Sequence, residues 1–497
     1  MFPDLHADGR FLSAAAVEAE ALRVAAGLAA LGVREGQSVA LMLRNGVACV
    51  AVVLACRHAG LYVVPVNWHF KAAEARHVLL DSGADVLFVH ADLLPQVAEG
   101  LPDTLHVVAV DDDDPAGTWA RFGAGAPCPP AASGPPRGMV PYTSGTTGRP
   151  KGVRRLPFAP DARAAAEAAQ KALTATVFGI GPASRVLLNA PAYHSAPMSY
   201  LMNACLNGAT LVFESSFDAR RTLDLIARHR ITHAYLVPTM YRRLLRLRAE
   251  GGADDADVSS MRQVASTGSP CPPDVKRAMI DWWGPVITEA YASSETGYLT
   301  FVDSATWLAH PGTAGRAVNG ARLRILDAAG RELPPGQTGL IYGRQPAYPD
   351  FTYLHNDAAR EALERDGLFT LGDMGYLDAD GHLFINDRAS DLVISGGVNI
   401  YPAEIEAVLQ TMPGVADCAV FGIPDAEFGE ALGAAVQVLP GHALDAAAVQ
   451  AFLRERLANY KVPRAVEFHA SLPREDTDKI FKRLLREPHW RDARRAI

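Results

Sequence analysis

Apolar residues recur along this chain in two alternating periods. From Leu12 to Leu31 an Ala-rich stretch carries apolar positions at helical spacing and stops at Gly32, which predicts a helix with a glycine end. Ser38 to Leu43 is a short strand-like run, followed by a second Ala/Val-rich helix ending near Gly60. Strands are predicted again at Ala84 to His90 and Leu105 to Val110. The alternation resumes at Arg185 to Leu188, Ala209 to Glu214 and Ala234 to Val237. Such alternation implies α/β layers with parallel strands. From Ala321 to Gly343 the strands shorten, separated by Asp-Ala-Ala-Gly and Pro-Pro-Gly turns, as in a β-rich subdomain. After Arg388 a compact set follows: helix Pro402 to Met412, strands Cys418 to Ile423 and Ala434 to Val438, helix Asp445 to Ala458, and strand Ala465 to His469. About a hundred residues of this kind can form their own small core. The expected fold class is therefore α/β: a large N-terminal domain (1–388) of layered α/β subdomains plus a β-rich subdomain, and a small C-terminal α+β domain (389–497).

Composition narrows the function. The 497 residues are too many for one core, and 49% hydrophobic with 21% charged residues is ordinary for a globular protein. A net charge of −8 gives no broad attraction to nucleic acid or anionic lipid, so anionic substrates must be met by local cations. The longest apolar run, Val47 to Cys56, is too short to span a bilayer, and MFPDLHADGR has no signal-peptide core. Neither nucleic-acid binding nor integral membrane association is expected. Six scattered cysteines without a C-x-x-C pair indicate free thiols in a reducing, cytoplasmic compartment. Asp111 to Asp114 reads as a solvated face, leading through a Pro/Gly-rich passage to Gly138.

That passage opens onto YTSGTTGRPKG, Tyr142 to Gly152. Its glycines (Gly145, Gly148) let the backbone approach a ligand, and consecutive N–H groups form an anion nest. Hydroxyls of Thr143, Ser144, Thr146 and Thr147 add donors, and Lys151 adds a point charge suited to a polyphosphate. The loop lacks the Gly-Lys-Ser/Thr of a Walker A sequence, and Pro150 interrupts a continuous helix. A plain polar surface loop is the competing reading. A second segment, EAYASSETG from Glu289 to Gly297, offers a ring to stack on a purine, hydroxyls for an α-phosphate and a carboxylate for Mg²⁺.

With these two segments in this order, the chain resembles the adenylate-forming superfamily of acyl-CoA synthetases, amino-acid adenylation domains and luciferases, over nearly its whole length. The resemblance implies that Tyr291 stacks on adenine, that Ser294 stands where threonine is usual, and that Glu295 serves the metal. Ala292 replaces a glycine, adding a methyl beside the acyl pocket. In STGSPCPP, Gly268, Ser269 and Pro270 would lie against the adenine edge; a strand-ending turn is the alternative. In PAYHSAP, Tyr193 and His194 match an aromatic gate to the acyl tunnel, and the lack of an aspartate there argues against an amino-acid substrate. Asp373 of LGDMGY becomes the ribose-hydroxyl acceptor and Arg388 of INDRASD a second ribose or phosphate contact. Ser390 stands at the hinge, usually Asp or Lys, of a mobile C-terminal domain. Gly396 and Gly397 would line a pantetheine tunnel, and Lys479 matches the adenylation lysine. Asp478 before it replaces a glycine and either tunes that lysine's charge or faces solvent.

The implied reaction joins a small-molecule carboxylic acid to ATP, with Mg²⁺, giving an acyl-adenylate and pyrophosphate; coenzyme A thiol then takes the acyl group. The expected pocket wall (Tyr193, Met198, Met202, Val237, Tyr298, Leu299) is apolar and has no evident Arg for a second carboxylate. A hydrophobic monocarboxylic acid, fatty, aryl or polycyclic, is expected. Glycines at Gly268 and Gly297 leave room for bulk, which favours a large ring system over acetate. Two alternatives stay open: transfer to a carrier-protein phosphopantetheine, and a nucleotide-binding module without catalysis. A homodimer is compatible with all three.

Overall fold

Strand pairing turns the alternation into two parallel sheets. The computed structural model describes residues 2–7, 9–111, 114, 116–134, 137–143, 150–159, 161–214, 216–268, 271–395, 398–425, 427–474 and 480–491. Packing divides the chain into two compact units, Met1–Leu323 with Gly343–Phe369, and Arg324–Tyr342 with Thr370–Ile497.

In the first unit, Tyr62–Pro65, Ser38–Met42, Ala84–His90 and His106–Val110 lie side by side, all parallel. A second sheet runs Leu5–Ala7, Thr210–Phe213, Arg185–Leu188, His233–Tyr235, Gln263–Ser266, Ile287–Ser293, again all parallel. Gly297–Val302 and Gly315–Ala317 extend it antiparallel. Strands covered on both faces must be apolar on both faces, which is why Ser38–Met42 is buried along its length. Helix Ala14–Ala30 starts where the Ser13 hydroxyl accepts from the Ala16 N–H and ends before Gly32, whose φ is 80°. Helix Val47–His58 is buried from Ala48 to Cys56, so its sequence is apolar all round rather than amphipathic. Among the described residues, no helix is long and apolar enough to cross a membrane.

A third, smaller sheet matters most for the site. Lys151–Arg155 is its central strand, antiparallel to Tyr142–Thr143 on one edge and to Phe351–Tyr353 on the other. Residues some two hundred positions apart in sequence are thereby hydrogen-bonded neighbours.

The second unit is built on a long hairpin, Val415–Asp425 against Gly429–Val438, with Ala465–His469 added in parallel. Helices Pro402–Leu409 and Ala446–Arg454 contribute Ile405, Leu409, Val449 and Leu453 to one core, packed with Val420, Leu432 and Val436. The first helix stops three residues short of the expected Met412, and the second is capped by Asp445 accepting from the Ala448 N–H. Leu485, on helix Lys482–Trp490, packs with Ala419, Phe421, Ala435 and Leu472 in a separate cluster.

That last helix begins with a largely buried ion pair. The Lys482 ammonium lies 2.8 Å from Glu406, whose Oε1 also accepts the Val420 N–H at 2.6 Å. Burial opposes the charge on Lys482, but Glu406, Asp387 and Asp391 together hold it above its ordinary range. Burial pushes the Glu406 carboxyl up, and Lys482 opposes that rise. Removing one partner strands the other. Lys482→Met is therefore expected to destabilise the second unit by about 1–3 kcal/mol, read as a lower urea midpoint.

Candidate active site

Lys151 and Glu295 come together through a tyrosine. The pairing of Tyr353 with Val153 carries Tyr353 beside Lys151, whose ammonium is 5.4 Å from the ring centroid. The Tyr353 hydroxyl donates to Glu295 Oε1 at 2.9 Å. Glu295 is only 5% exposed, in the turn between Ile287–Ser293 and Gly297–Val302. A carboxylate that far from water needs a donor, and the tyrosine supplies one to Oε1. Burial, then the Glu295 charge, pushes the Tyr353 hydroxyl well above its ordinary range, so it remains a donor.

Arg155, at the far end of the same strand, fixes that turn. Its guanidinium donates to Ser294 O at 2.6 Å and Pro349 O at 3.0 Å and lies 5.1 Å from the Tyr348 ring centroid. Burial lowers its pKa to about 10, which leaves it a cation at neutral pH. With both terminal nitrogens bonded to backbone carbonyls, it positions Ser294 and Glu295. It is placed to hold protein, not a second substrate carboxylate.

Both ends of the expected phosphate loop are tied down. The Tyr142 hydroxyl donates to Asp81 at 2.8 Å, and His77 Nε2 is 2.9 Å from Pro150 O. Thr143 pairs with Lys151 across the strand ladder. Ser144, Gly145, Thr146, Thr147 and Gly148 lie outside the described residues, as do Ser269, Pro270, Gly396, Gly397 and Lys479.

The residues expected around the acyl group fall in the first unit. The rings of Tyr193 and His194 lie with centroids 4.2 Å apart, tilted by 54°, and Trp68 meets Tyr193 edge-on at 4.9 Å, with His69 at 6.5 Å. His194 immediately precedes helix Ser195–Leu206, which carries the buried Met198. Asn45 holds the preceding segment: its Nδ2 donates to Ala190 O at 2.9 Å and Leu188 O at 3.4 Å, and its Oδ1 accepts the Ala192 N–H at 2.9 Å. Val237 immediately precedes helix Pro238–Ala249, and the buried Tyr298 sits against Phe178 at 5.4 Å. Tyr291 lies in the strand at a bulge next to Ala292. A crevice too tight to hold a water molecule is lined by Phe178, Ser266, Thr267, Glu289, Ala290 and Tyr298 among others. It thus touches the neighbours of both Gly268 and Tyr291.

The expectation that both glycines leave room for substrate is corrected at one of them. Gly268, with φ 91°, has no described atom within 4 Å of where a Cβ would stand. At Gly297, with φ 76°, that Cβ would lie 2.4 Å from Cδ2 of Tyr348. The space is taken by a protein ring, so Gly297 serves its turn and Tyr348 rather than the acyl group.

In the second unit Asp373 and Arg388 face each other across antiparallel strands, in register, with Arg388 Nε 3.3 Å from Asp373 Oδ1. Asp373 is mostly buried and Arg388 half exposed. Ser390 follows directly; its hydroxyl is 3.4 Å from Asp391, and its carbonyl accepts from Arg486. Asp387 Oδ2 accepts the Ala403 N–H at the start of helix Pro402–Leu409.

Sequence reasoning missed Tyr353, Arg155, Tyr348, Asn45 and Trp68. Each is a common residue type in an unremarkable local pattern, brought to the site by long-range pairing.

Residues 2–348 match the AMP-binding enzyme family, and residues 404–479 match the AMP-binding enzyme C-terminal domain. A fatty acid–[acyl-carrier-protein] ligase of Streptomyces coeruleorubidus is 33% identical over 100% of this chain and 95% of its own length. A feruloyl-CoA synthase of an Amycolatopsis species is 33% identical, over 95% and 93%. A Mycobacterium tuberculosis 3-[(3aS,4S,7aS)-7a-methyl-1,5-dioxo-octahydro-1H-inden-4-yl]propanoyl:CoA ligase is 38% identical, over 93% and 91%. The o-succinylbenzoate CoA synthetase of Bacillus subtilis, solved with its acyl-adenylate intermediate, superposes with a TM-score of 0.85 at 28% identity, covering 99% of this chain and 96% of that one. The same Bacillus enzyme has been solved with ATP and a magnesium ion (TM-score 0.83, 27% identity, 96% and 95% covered). The chain belongs to the adenylate-forming, AMP-binding enzyme superfamily and, within it, is an acyl-CoA ligase-like, AMP-forming acid–thiol ligase.

Proposed function

We propose that this enzyme activates a hydrophobic carboxylic acid (fatty, aryl or polycyclic) with ATP and passes the acyl group to coenzyme A. The observation that carries the reading is the Lys151–Tyr353–Glu295 set, a cation and a carboxylate held together at the end of a hydroxyl-rich loop. A carboxylate is a weak nucleophile and is repelled by the triphosphate it must attack, so catalysis here means charge neutralisation and positioning. The loop from Thr143 to Lys151 holds the departing pyrophosphate, and Glu295 Oε2 is the protein ligand for Mg²⁺. When bound, the ion neutralises phosphate charge. Ser294 contacts the α-phosphate, Tyr291 and Gly268 with Ser269 and Pro270 hold adenine, and Asp373 with Arg388 holds the ribose. The substrate oxygen attacks the α-phosphorus, the bond to pyrophosphate breaks, and the thiol later displaces AMP from the mixed anhydride.

Residues 389–497 act as a mobile domain turning about Ser390. In one setting Lys479 bridges the acid and the α-phosphate; in the other Gly396 and Gly397 admit the thiol arm. Tyr193 and His194 gate the acyl tunnel, and Met198, Val237 and Tyr298 line it. The feruloyl and octahydroindenyl relatives support an aryl or polycyclic acid. The acyl-carrier-protein ligase supports a second reading, a carrier-borne thiol as acceptor, which a product assay with each acceptor separates. Scattered, unpaired cysteines and the −8 charge support a cytoplasmic enzyme without a nucleic-acid partner; a homodimer is compatible.

Lys479→Ala is expected to slow acid-dependent pyrophosphate release by ~10²–10³-fold, typical of losing one oxyanion contact. Thioester formation from preformed acyl-adenylate should be spared; equal loss in both half-reactions would refute the two settings. Tyr353→Phe removes the donor to Glu295 and is expected to lower kcat/KM for MgATP about tenfold, the worth of one charge-assisted hydrogen bond. Unchanged MgATP kinetics in that variant would remove Glu295 from the metal role.

A further inference from the structure

Helix Ala72–Ser82 stands outside the reaction centre, yet it bonds to the margin of every strand in the small sheet. Its ends are fixed by its own sequence: the Lys71 N–H donates to Glu74 at 3.0 Å, and Gly83 closes it with φ 59°. Ala75, Val78, Leu79 and Ser82 are buried, which leaves His77 and Asp81, four positions apart, together on a neighbouring side.

Each bond from that side has a fixed direction. Pro150 O only accepts, so His77 Nε2 carries the hydrogen of their 2.9 Å bond. Burial, then Asp81, pushes the Tyr142 hydroxyl well above its ordinary range, so it is the donor at 2.8 Å to Asp81 Oδ2. His355 Nε2 likewise donates to Asp81 O at 3.1 Å. His355 does so from φ 55°, a conformation that costs a non-glycine residue free energy.

These bonds bracket the residues assigned to the phosphates. Pro150 O belongs to the peptide that enters Lys151, and Tyr142 directly precedes Thr143. Thr143 and Lys151 are themselves paired in the ladder. One helix therefore holds both neighbours of that pair, while His355 ties it to the segment whose Tyr353 donates to Glu295. Packing alone needs none of these directed bonds, since Ala75, Val78 and Leu79 already seat the helix in an apolar cluster with Val140.

We propose that His77 and Asp81 are positioning residues for the first half-reaction, setting Thr143 and Lys151 for the terminal phosphates of ATP. The proposal rests on the acid-activating reading and adds to it a support outside the site.

The test uses the full-length enzyme with His77→Ala, His77→Gln, Asp81→Ala and Tyr142→Phe. His77→Ala and Asp81→Ala are each expected to raise KM for MgATP in acid-dependent pyrophosphate release about three- to tenfold, the worth of one directed hydrogen bond. The calorimetric Kd for MgATP should weaken in step. KM for the acid, and thioester formation from preformed acyl-adenylate, should not change. His77→Gln keeps an N–H donor and should recover most of the MgATP affinity. A merely structural role would lower the thermal midpoint and impair all of these steps together, with no recovery in His77→Gln. That pattern, or unchanged MgATP binding in both alanine variants, would overturn the proposal. If an alanine variant fails to fold, Tyr142→Phe, which removes only the hydroxyl that meets Asp81, decides the outcome by the same readings. A parent enzyme that releases no pyrophosphate with any hydrophobic acid would overturn acid activation, whereas the MgATP titrations would still decide the anchoring.

Discussion

A carboxylate withdrawn from water must be given a donor or a cation, and at Glu295 that requirement organises the first unit. Tyr353 meets it with one hydrogen bond, and the strand pairing that delivers Tyr353 also sets Lys151 beside the same ring. Arg155, from the same central strand, grips the turn from behind through Ser294 O. Three residues of one small sheet thus fix the position and the electrostatics of a turn that belongs to another sheet. Loss of the antiparallel register between Lys151–Arg155 and Phe351–Tyr353 would disperse all of these contacts at once.

The hydrophobic side of the site follows a different logic. Asn45 spends its whole side chain on three backbone groups of the segment leading to Tyr193. The aromatic cluster of Trp68, Tyr193 and His194 therefore stands on a hydrogen-bonded base rather than on apolar packing alone. Gly297 shows how a small residue can signal a protein contact instead of a ligand: its absent side chain accommodates Tyr348, which itself lies beside Arg155.

Much of the fold was legible because local pattern and tertiary burial agree. Ala84–His90, Arg185–Leu188 and Ala465–His469 are strands over the expected residues, and the first helix ends at the expected glycine. Parallel strands buried on both faces write themselves as apolar runs. Family resemblance named Asp373 and Arg388 as ribose contacts, but neither it nor their spacing revealed that they oppose each other in register. Tyr353 and Arg155 were not legible at all. Their roles come from pairing across nearly two hundred residues, and nothing within a local window distinguishes them from core residues. Gly297 was misread because composition gives the size of a gap but not what fills it.

The return segment Gly343–Phe369 carries a consequence for how the protein is made. It belongs by packing to the unit that otherwise ends at Leu323, and it brings the partner that Glu295 requires. During synthesis on a ribosome, the two parallel sheets are complete long before this segment emerges. The nascent first unit must hold Glu295 without its tyrosine until some sixty further residues follow, and closing so long a loop favours late formation. Completion of the Glu295 environment is therefore a late event in folding, laid on a scaffold already formed.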